Sequence, residues 1–236
     1  MRLPGSEKVI VGYDLGNKYA QISCYVTGSE EEIRTLSSVA GSSVYTIPLA
    51  LSKRQGVNQW FYGSEAIRYA GEEEGILVEN LLKLARDGEP VQIDGAPIDP
   101  VALLTLFLKR SLGLLSQVTN TERIGALMIT CEELDHRMLE VLTAATEGLH
   151  LKTDQICFQS HVESFYYYNL YQPEELWRHK TILCEYGDAS IRTYCMECNR
   201  HTTPVVAYME EREFPFPVPE SDEKMQEIAK KLCENQ

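Results

Sequence analysis

Two carboxylate-turn patterns are the residues of this chain best suited to chemistry. The first reads Asp14-Leu15-Gly16-Asn17. It follows an apolar run, Val9-Ile10-Val11-Gly12-Tyr13, the length of one buried strand. After it, Ala20, Ile22, Cys24 and Val26 alternate with Gln21, Ser23, Tyr25 and Thr27. Alternation of this kind predicts a half-buried antiparallel strand, and a Gly/Asn turn between two such runs predicts a hairpin. A carboxylate at the end of a buried strand, beside turn amides, suits a cation and a phosphate. The amides face phosphate oxygens, and the acid holds Mg²⁺ directly or through its waters.

The second pattern lies in residues 181–196, TILCEYGDASIRTYCM. Glu185-Tyr186-Gly187 falls on Asp14-Leu15-Gly16 without a gap, and Cys195 then falls on Cys24. Internal self-similarity predicts two similar lobes facing each other, with a nucleotide's phosphates gripped from both sides. The plainer alternative makes Asp14 and Glu185 a pair of turn-capping carboxylates. A third constellation is Cys195, Cys198 and His201, soft and imidazole ligands suited to Zn²⁺, with Cys184 offered as the fourth. On the hairpin reading Cys195 ends a strand, and residues 198–201 form a turn. No Ser/His/Asp arrangement, Walker loop or dinucleotide fingerprint is present, and His136, His150, His161 and His179 are isolated.

The elements that must position these groups follow from the pattern. Residues 33–37 predict a third strand and 47–52 a fourth, with a turn around Arg54-Gln55-Gly56 leading into a strand at 59–62. A short helix capped by Ser64 is expected over 64–70, and another over the leucine-rich 77–85, closed by Asp87-Gly88-Glu89-Pro90. Residues 92–95 read as a turn. Residues 100–118 predict a buried core helix, too short and too interrupted by Lys109-Arg110 to span a bilayer. A buried strand at 126–130 and an amphipathic helix at 132–149, stopped at Gly148, come next. A strand at 156–158 leads into a helix at 161–171 whose Phe165-Tyr166-Tyr167-Tyr168 run is expected to pack. Residues 172–180 read as the boundary between lobes. Strands follow near 181–185, 191–196 and 204–212, then an extended Pro-rich linker at 214–219. Ser221 caps a last helix with Met225, Ile228, Ala229 and Leu232 on one face.

Composition narrows the class. The 236 residues carry 44% hydrophobic and 24% charged side chains, ordinary for a globular protein able to bury a core. A net charge of −13 argues against a general nucleic-acid or anionic-membrane surface, though not against a nucleotide pocket. No apolar region of about 7–15 residues follows the first six residues, so no signal peptide is expected. Seven cysteines, an odd number spread through strands, read as reduced packing residues of a cytoplasmic protein.

The order of elements resembles the actin, sugar-kinase and heat-shock-70-type chaperone superfamily, most of all the chaperone ATPase branch, as a divergent bacterial-type member. Residues 11–17 resemble its first phosphate loop. Ile47-Pro48 and Tyr62-Gly63-Ser64-Glu65-Ala66 resemble its proline, then glycine-x-x-alanine stretch, and residues 181–196 take the place of its second phosphate loop. The resemblance implies an α/β fold: a mixed-sheet, ribonuclease-H-like lobe over 1–172, with a subdomain insertion at about 40–125, and the beginning of a second lobe over 181–236. It implies an ATP-binding module with weak hydrolysis. Asp14 and Glu185 would hold Mg²⁺ through water and place the attacking water. Gly16, Asn17 and Lys18 would meet the phosphates from one side, and Gly187, Asp188, Ala189 and Ser190 from the other. Gln159, or else His161, would orient water, and Lys83 would reach the γ-phosphate. The departures are Glu185 where the family has aspartate, Asp188 adding negative charge at the phosphates, Asn17 for a hydroxyl residue, and no counterpart of the glycine-rich adenosine loop. They raise the alternative of a catalytically inactive scaffold of the same fold, working through a protein partner. A small zinc-stabilised interaction module is the third expectation.

Overall fold

Alternation in the first 20 described residues sets the architecture. A computed structural model describes residues 8–28, 32–72, 75–119, 123–173, 175, 180–186, 190–198 and 206–215. Strand β1, Val9–Leu15, buries Val9, Val11, Tyr13 and Leu15 and turns Ile10 and Asp14 the other way. Strand β2, Tyr19–Val26, returns antiparallel with Ala20, Ile22 and Cys24 on the buried side. The expected wholly buried first strand is therefore buried on one face only. Strand β3, Arg34–Thr35, continues the meander against β2, and β4, Ile47–Pro48, pairs with the start of β2.

The expected single strand at 47–52 is two strands in two sheets. The chain bends after Pro48, with Ala50 N–H donating to the Pro48 carbonyl at 2.8 Å. It then enters β5, Leu51–Arg54, the centre of a second sheet with β6, Trp60–Tyr62, and β7, Gly75–Val78. Helix α1, Gly63–Glu72, lies between β6 and β7. The helix expected over 77–85 is likewise divided. Leu77 and Val78 pair with β5, Asn80 takes a left-handed conformation at φ 55°, and only then does α2, Leu81–Asp87, begin. A leucine-rich run fits a strand end as well as a helix, and the free edge of β5 decided between them.

Strands β8, Val91–Ile93, and β9, Ala96–Ile98, form a hairpin around Asp94-Gly95, both at positive φ as a two-residue turn of this kind requires. Asp99 caps α3, Pro100–Leu112, by accepting from Val101 N–H at 2.9 Å, with Pro100 at the first helical position. The helix ends earlier than the expected 118 and tightens into a 3-10 turn over Gly113–Gln117.

Strand β10, Ile124–Cys131, runs parallel to β1, and β11, Ile156–Ser160, runs parallel to β10. Between them lies α4, His136–Glu147, which starts after the expected 132 because Asp135 caps it, accepting from Met138 N–H at 2.8 Å. The main sheet is thus mixed, ordered β11-β10-β1-β2-β3 with β4 also on β2. Helices α3 and α4 meet where Thr105 Oγ1 donates to the Ala145 carbonyl at 3.0 Å, and Leu103, Leu104, Phe107, Val141 and Leu142 join the strands in one core. This is an α/β fold.

Helix α5, His161–Tyr171, follows β11 directly. Beyond it come β12, Lys180–Tyr186, β13, Ser190–Cys198, and β14, Val206–Pro215, a separate antiparallel sheet ordered β12-β13-β14. The chain divides into two units, Met1–Ser164 and Phe165–Gln236, so the division falls within α5. Of the aromatic run, Tyr168 is exposed rather than packed, while Tyr167, also exposed, keeps a ring contact with Tyr166 at 4.7 Å between centroids. The linker beyond Pro215 and the last helix lie outside the described residues. Among the described residues no helix is long and apolar enough to cross a membrane.

Tyr13 brings a polar group into the core of the first unit. It is wholly buried, and its hydroxyl lies 2.7 Å from Ser111 Oγ of α3. Burial pushes its ionisation well above the usual tyrosine range, with Ser111 pulling back more weakly. Burial likewise pushes the Cys131 thiol up to about 12. Both groups are held in the neutral form, so their contribution is complete below the ordinary values of 9.0 for the thiol and 10.0 for the phenol, and is lost as pH rises above them. Stability of the first unit is therefore expected to fall above about pH 9. Tyr13→Phe should lower stability by about 1 kcal/mol at neutral pH through the lost hydrogen bond. It should also lose less than the parent on going to about pH 10.5. Urea midpoints at the two pH values check this, and equal alkaline losses in both proteins would contradict it.

Candidate functional site

In open α/β sheets the crevice beyond the carboxyl ends of parallel strands is where groups from different strands converge on ligands. Here β1, β10 and β11 end together. Asp14 lies opposite Thr130, and Thr130 lies opposite Gln159. Because Asp14 alternates with the buried Tyr13 and Leu15, its side chain is 53% exposed. Thr130 Oγ1 donates to Asp14 Oδ1 at 3.3 Å, and His161 Nε2 lies 2.8 Å from the same oxygen. Ser160 fixes the imidazole's place by capping α5: its Oγ accepts from Glu163 N–H at 3.1 Å, leaving His161 as the first helical residue.

The loop between β10 and α4 adds the next layer. Asn17 Nδ2 donates to Glu132 Oε2 at 3.2 Å, tying the first turn to this loop. Arg86 of α2 spans Glu133 at 3.1 Å and Asp135, and its own carbonyl accepts from Arg137 Nε at 3.1 Å. Cys131 closes the floor. Burial, then the carboxylates of Asp14, Asp135 and Glu133, keep its thiol protonated, and Arg86 only partly offsets them. A neutral thiol is not a nucleophile.

Of the residues expected from sequence, Asp14, Asn17 and His161 come together here. Gly16 occupies the turn, but its N–H donates to the Tyr19 carbonyl at 2.9 Å, so this amide is used inside the hairpin rather than turned outward. A Cβ at Gly16 would stand 2.9 Å from that same carbonyl oxygen, which is why the turn requires glycine. Lys18 is exposed on the turn, at a cleft of about 270 Å³ shared with Asn17, Leu49, Glu79 and Asn80. Gln159 accepts from Ser164 Oγ at 3.2 Å. Lys83 is exposed on α2, and it is Arg86, one turn on, that reaches the loop acids.

The second hairpin belongs to the second unit and repeats the first in register. Every pair is displaced by 171 positions, the spacing of Glu185 from Asp14. Val9↔Val26 becomes Lys180↔Glu197, Asp14↔Gln21 becomes Glu185↔Arg192, and Leu15↔Ala20 becomes Tyr186↔Ile191. Glu185 therefore sits across from a guanidinium. Arg192 Nε is 3.5 Å from Glu213 Oε1, which also accepts from Ser190 Oγ at 2.6 Å. Burial and the charges of Glu211 and Glu185 raise the Tyr194 ionisation, and Arg192 pulls it down. Gly187, Asp188 and Ala189 lie outside the described residues. So does His201 of the proposed zinc set, and among the described residues no three His, Cys, Asp or Glu side chains group to hold a metal. Cys184 and Cys195 fall on one face of the hairpin by the register.

Thr130, Glu132 and Arg86 were not legible as site residues. Thr130 reads as the end of a strand and Glu132 as the start of a helix. Arg86 carries no local signal at all, since its role depends on how α2 packs near α4. The start of α5 did carry one: Ser160-x-x-Glu163 has the spacing of a capping box.

Residues 32–236 match the family described as "Family of unknown function (DUF5716) C-terminal", and the match begins after the first hairpin. No curated protein matches the chain.

Two outcomes test the local geometry. Gly16→Ala should destabilise the chain by more than about 1 kcal/mol, since the new methyl meets backbone rather than a movable side chain. Denaturant titration reads this, and an unchanged midpoint would contradict the turn described. Asp135→Ala and Glu133→Ala each remove one partner of Arg86, but only the first also uncaps α4. Asp135→Ala should be the costlier by about 1 kcal/mol, because exposed ion pairs contribute little. Equal losses would argue against the cap.

Proposed function

The chain belongs to the DUF5716 C-terminal family, whose function is not known, and we propose that it is an ATP-binding module of the actin and heat-shock-chaperone ATPase type. The observation that carries this reading is the repeated hairpin: two copies in identical register, each with a carboxylate one residue before the first strand's end. The position of Asp14 at the ends of three parallel strands adds support, since ligands favour that edge. The donor set fits magnesium. Asp14, Thr130, Glu132 and Asn17 offer hard oxygen atoms, and Mg²⁺ is ordinarily held by one or two carboxylates, waters and phosphate oxygens rather than by a protein cage. When bound, Mg²⁺ supplies charge neutralisation of the phosphates.

The chain's own residues have distinct roles on this reading. Asp14 holds the ion through water, steadied by Thr130. His161, already on Asp14, is better placed than Gln159 to orient a water, because Gln159 engages Ser164. Lys18 on the first turn and Lys83 on α2 are the cations offered to phosphate. Glu185 and Ser190 are the residues of the second hairpin offered to phosphate on this reading. A cytoplasmic setting goes with this reading, as does a protein partner, with neither nucleic acid nor membrane as target.

A second reading is favoured by one observation. Glu185 lies opposite Arg192 in the register, and Arg192 and Ser190 both engage Glu213, so the position of the second acid adjoins an ionic cluster of its own sheet. That arrangement suits a catalytically inactive scaffold. The two readings separate on binding and turnover by the longest natural form of the protein. Mg²⁺-ATP at a hundredfold excess over Kd should stabilise it by about 2.7 kcal/mol, read as a rise in melting temperature. Asp14→Ala should abolish that rise. A melting temperature indifferent to Mg²⁺-ATP would refute nucleotide binding and leave the scaffold. ATPase turnover lost in Asp14→Ala would remove the scaffold.

A further inference from the structure

We propose that the pocket at the amino ends of β10 and β11 binds a small amphipathic carboxylate, an apolar tail closed by an anionic head. The pocket belongs to the first unit and lies at the other end of the parallel strands from Asp14, so nothing about it requires a nucleotide. Its volume is about 480 Å³, within the roughly 300–1,000 Å³ of small-molecule sites. Four segments distant in sequence build it: the end of α3, the first residue of β10, the chain just after α4, and the 3-10 turn Thr153–Gln155 that leads into β11.

The lining is apolar at its base. Leu112 and Ile124 are each 5% exposed, and Leu149 and Leu151 pack partly buried against the same core. Two features set its shape. Gly148, where a Cβ would stand 2.5 Å from Thr105 Cγ2, lets the end of α4 close on α3. Gln155 is fixed through both atoms of its amide: Nε2 donates to the Ile124 carbonyl at 2.6 Å, and Oε1 accepts from Lys152 N–H at 3.0 Å. A wall held in this way is preorganised, which lowers the cost of binding. The other polar side chains at the pocket are the exposed Lys109 and His150, and no carboxylate is among the described residues that line it. In a chain of net charge −13, an ammonium and an imidazole over an apolar base match an anionic head with a hydrocarbon tail. His150 also holds a left-handed conformation at φ 58°. That is uncommon for a residue with a side chain, and such strain clusters at ligand sites.

Calorimetric titration of the full chain with sodium octanoate tests this. Octanoate is expected to bind saturably at one site per chain, with a Kd no weaker than about 1 mM. Octan-1-ol keeps the tail and loses the charge, so it should bind at least about tenfold more weakly. Octylamine, with the wrong charge, and acetate, with no tail, should give no saturable heat. Lys109→Gln and His150→Gly should each weaken octanoate binding by about three- to tenfold. Glycine suits a positive φ better than histidine does, so the melting temperature of His150→Gly should not fall, which separates lost affinity from lost fold. Arg54→Gln, on β5 and outside the pocket, should bind as the parent does. No saturable uptake of octanoate, equal affinity for octan-1-ol, or an octanoate affinity unchanged in either pocket variant would overturn the proposal.

Discussion

The parity of β1 is the constraint on which the rest depends. Val9, Val11, Tyr13 and Leu15 face the core beneath α3 and α4, so Asp14 between the last two must face away from it. A slip of one residue would exchange the two faces, burying a carboxylate and exposing a strand's worth of hydrophobic side chains. Such a slip costs too much for the register to drift. The exposure of Asp14 is thus secured by the burial of its neighbours, and the Tyr13–Ser111 hydrogen bond ties that arrangement to α3.

Pairing then converts one exposed acid into a site. Parallel strands bring their carboxyl ends to the same edge, and β10 and β11 deliver Thr130 and His161 to Asp14 from far along the chain. Local caps refine the placement. Ser160 sets the first residue of α5, and Asp135 sets the first residue of α4, which leaves Glu132 in the loop where Asn17 meets it. Arg86 joins the loop to α2.

The same hairpin serves two different surroundings. In the first unit its apolar face is roofed by helices, and the acid carries a hydroxyl and an imidazole. In the second, Ile182 and Tyr186 of the corresponding face are exposed, and the acid lies opposite Arg192 in the register. Identical backbone pairing therefore does not fix what a hairpin does. The layer placed on it and the residue opposite the acid decide that.

The strictly alternating strands and the hairpin repeat with its alignment were legible in the sequence, because these depend on interactions between near neighbours; the caps at Asp99 and Asp135 were not singled out there. Ala20, Ile22 and Cys24 announced the buried side of β2, and Glu185 could be set on Asp14 before any pairing was known. Only the tertiary structure decided the rest. It turned residues 75–78 into a strand against the edge of β5, bent 47–52 into two sheets, and placed His161 rather than Gln159 on Asp14. It also selected Arg86 over Lys83 as the cation at the loop. The physical reason is the same in each case: those choices are made by groups distant in sequence, an unpaired strand edge or a carboxylate on another element, and a leucine run or a lone arginine carries no record of its partner.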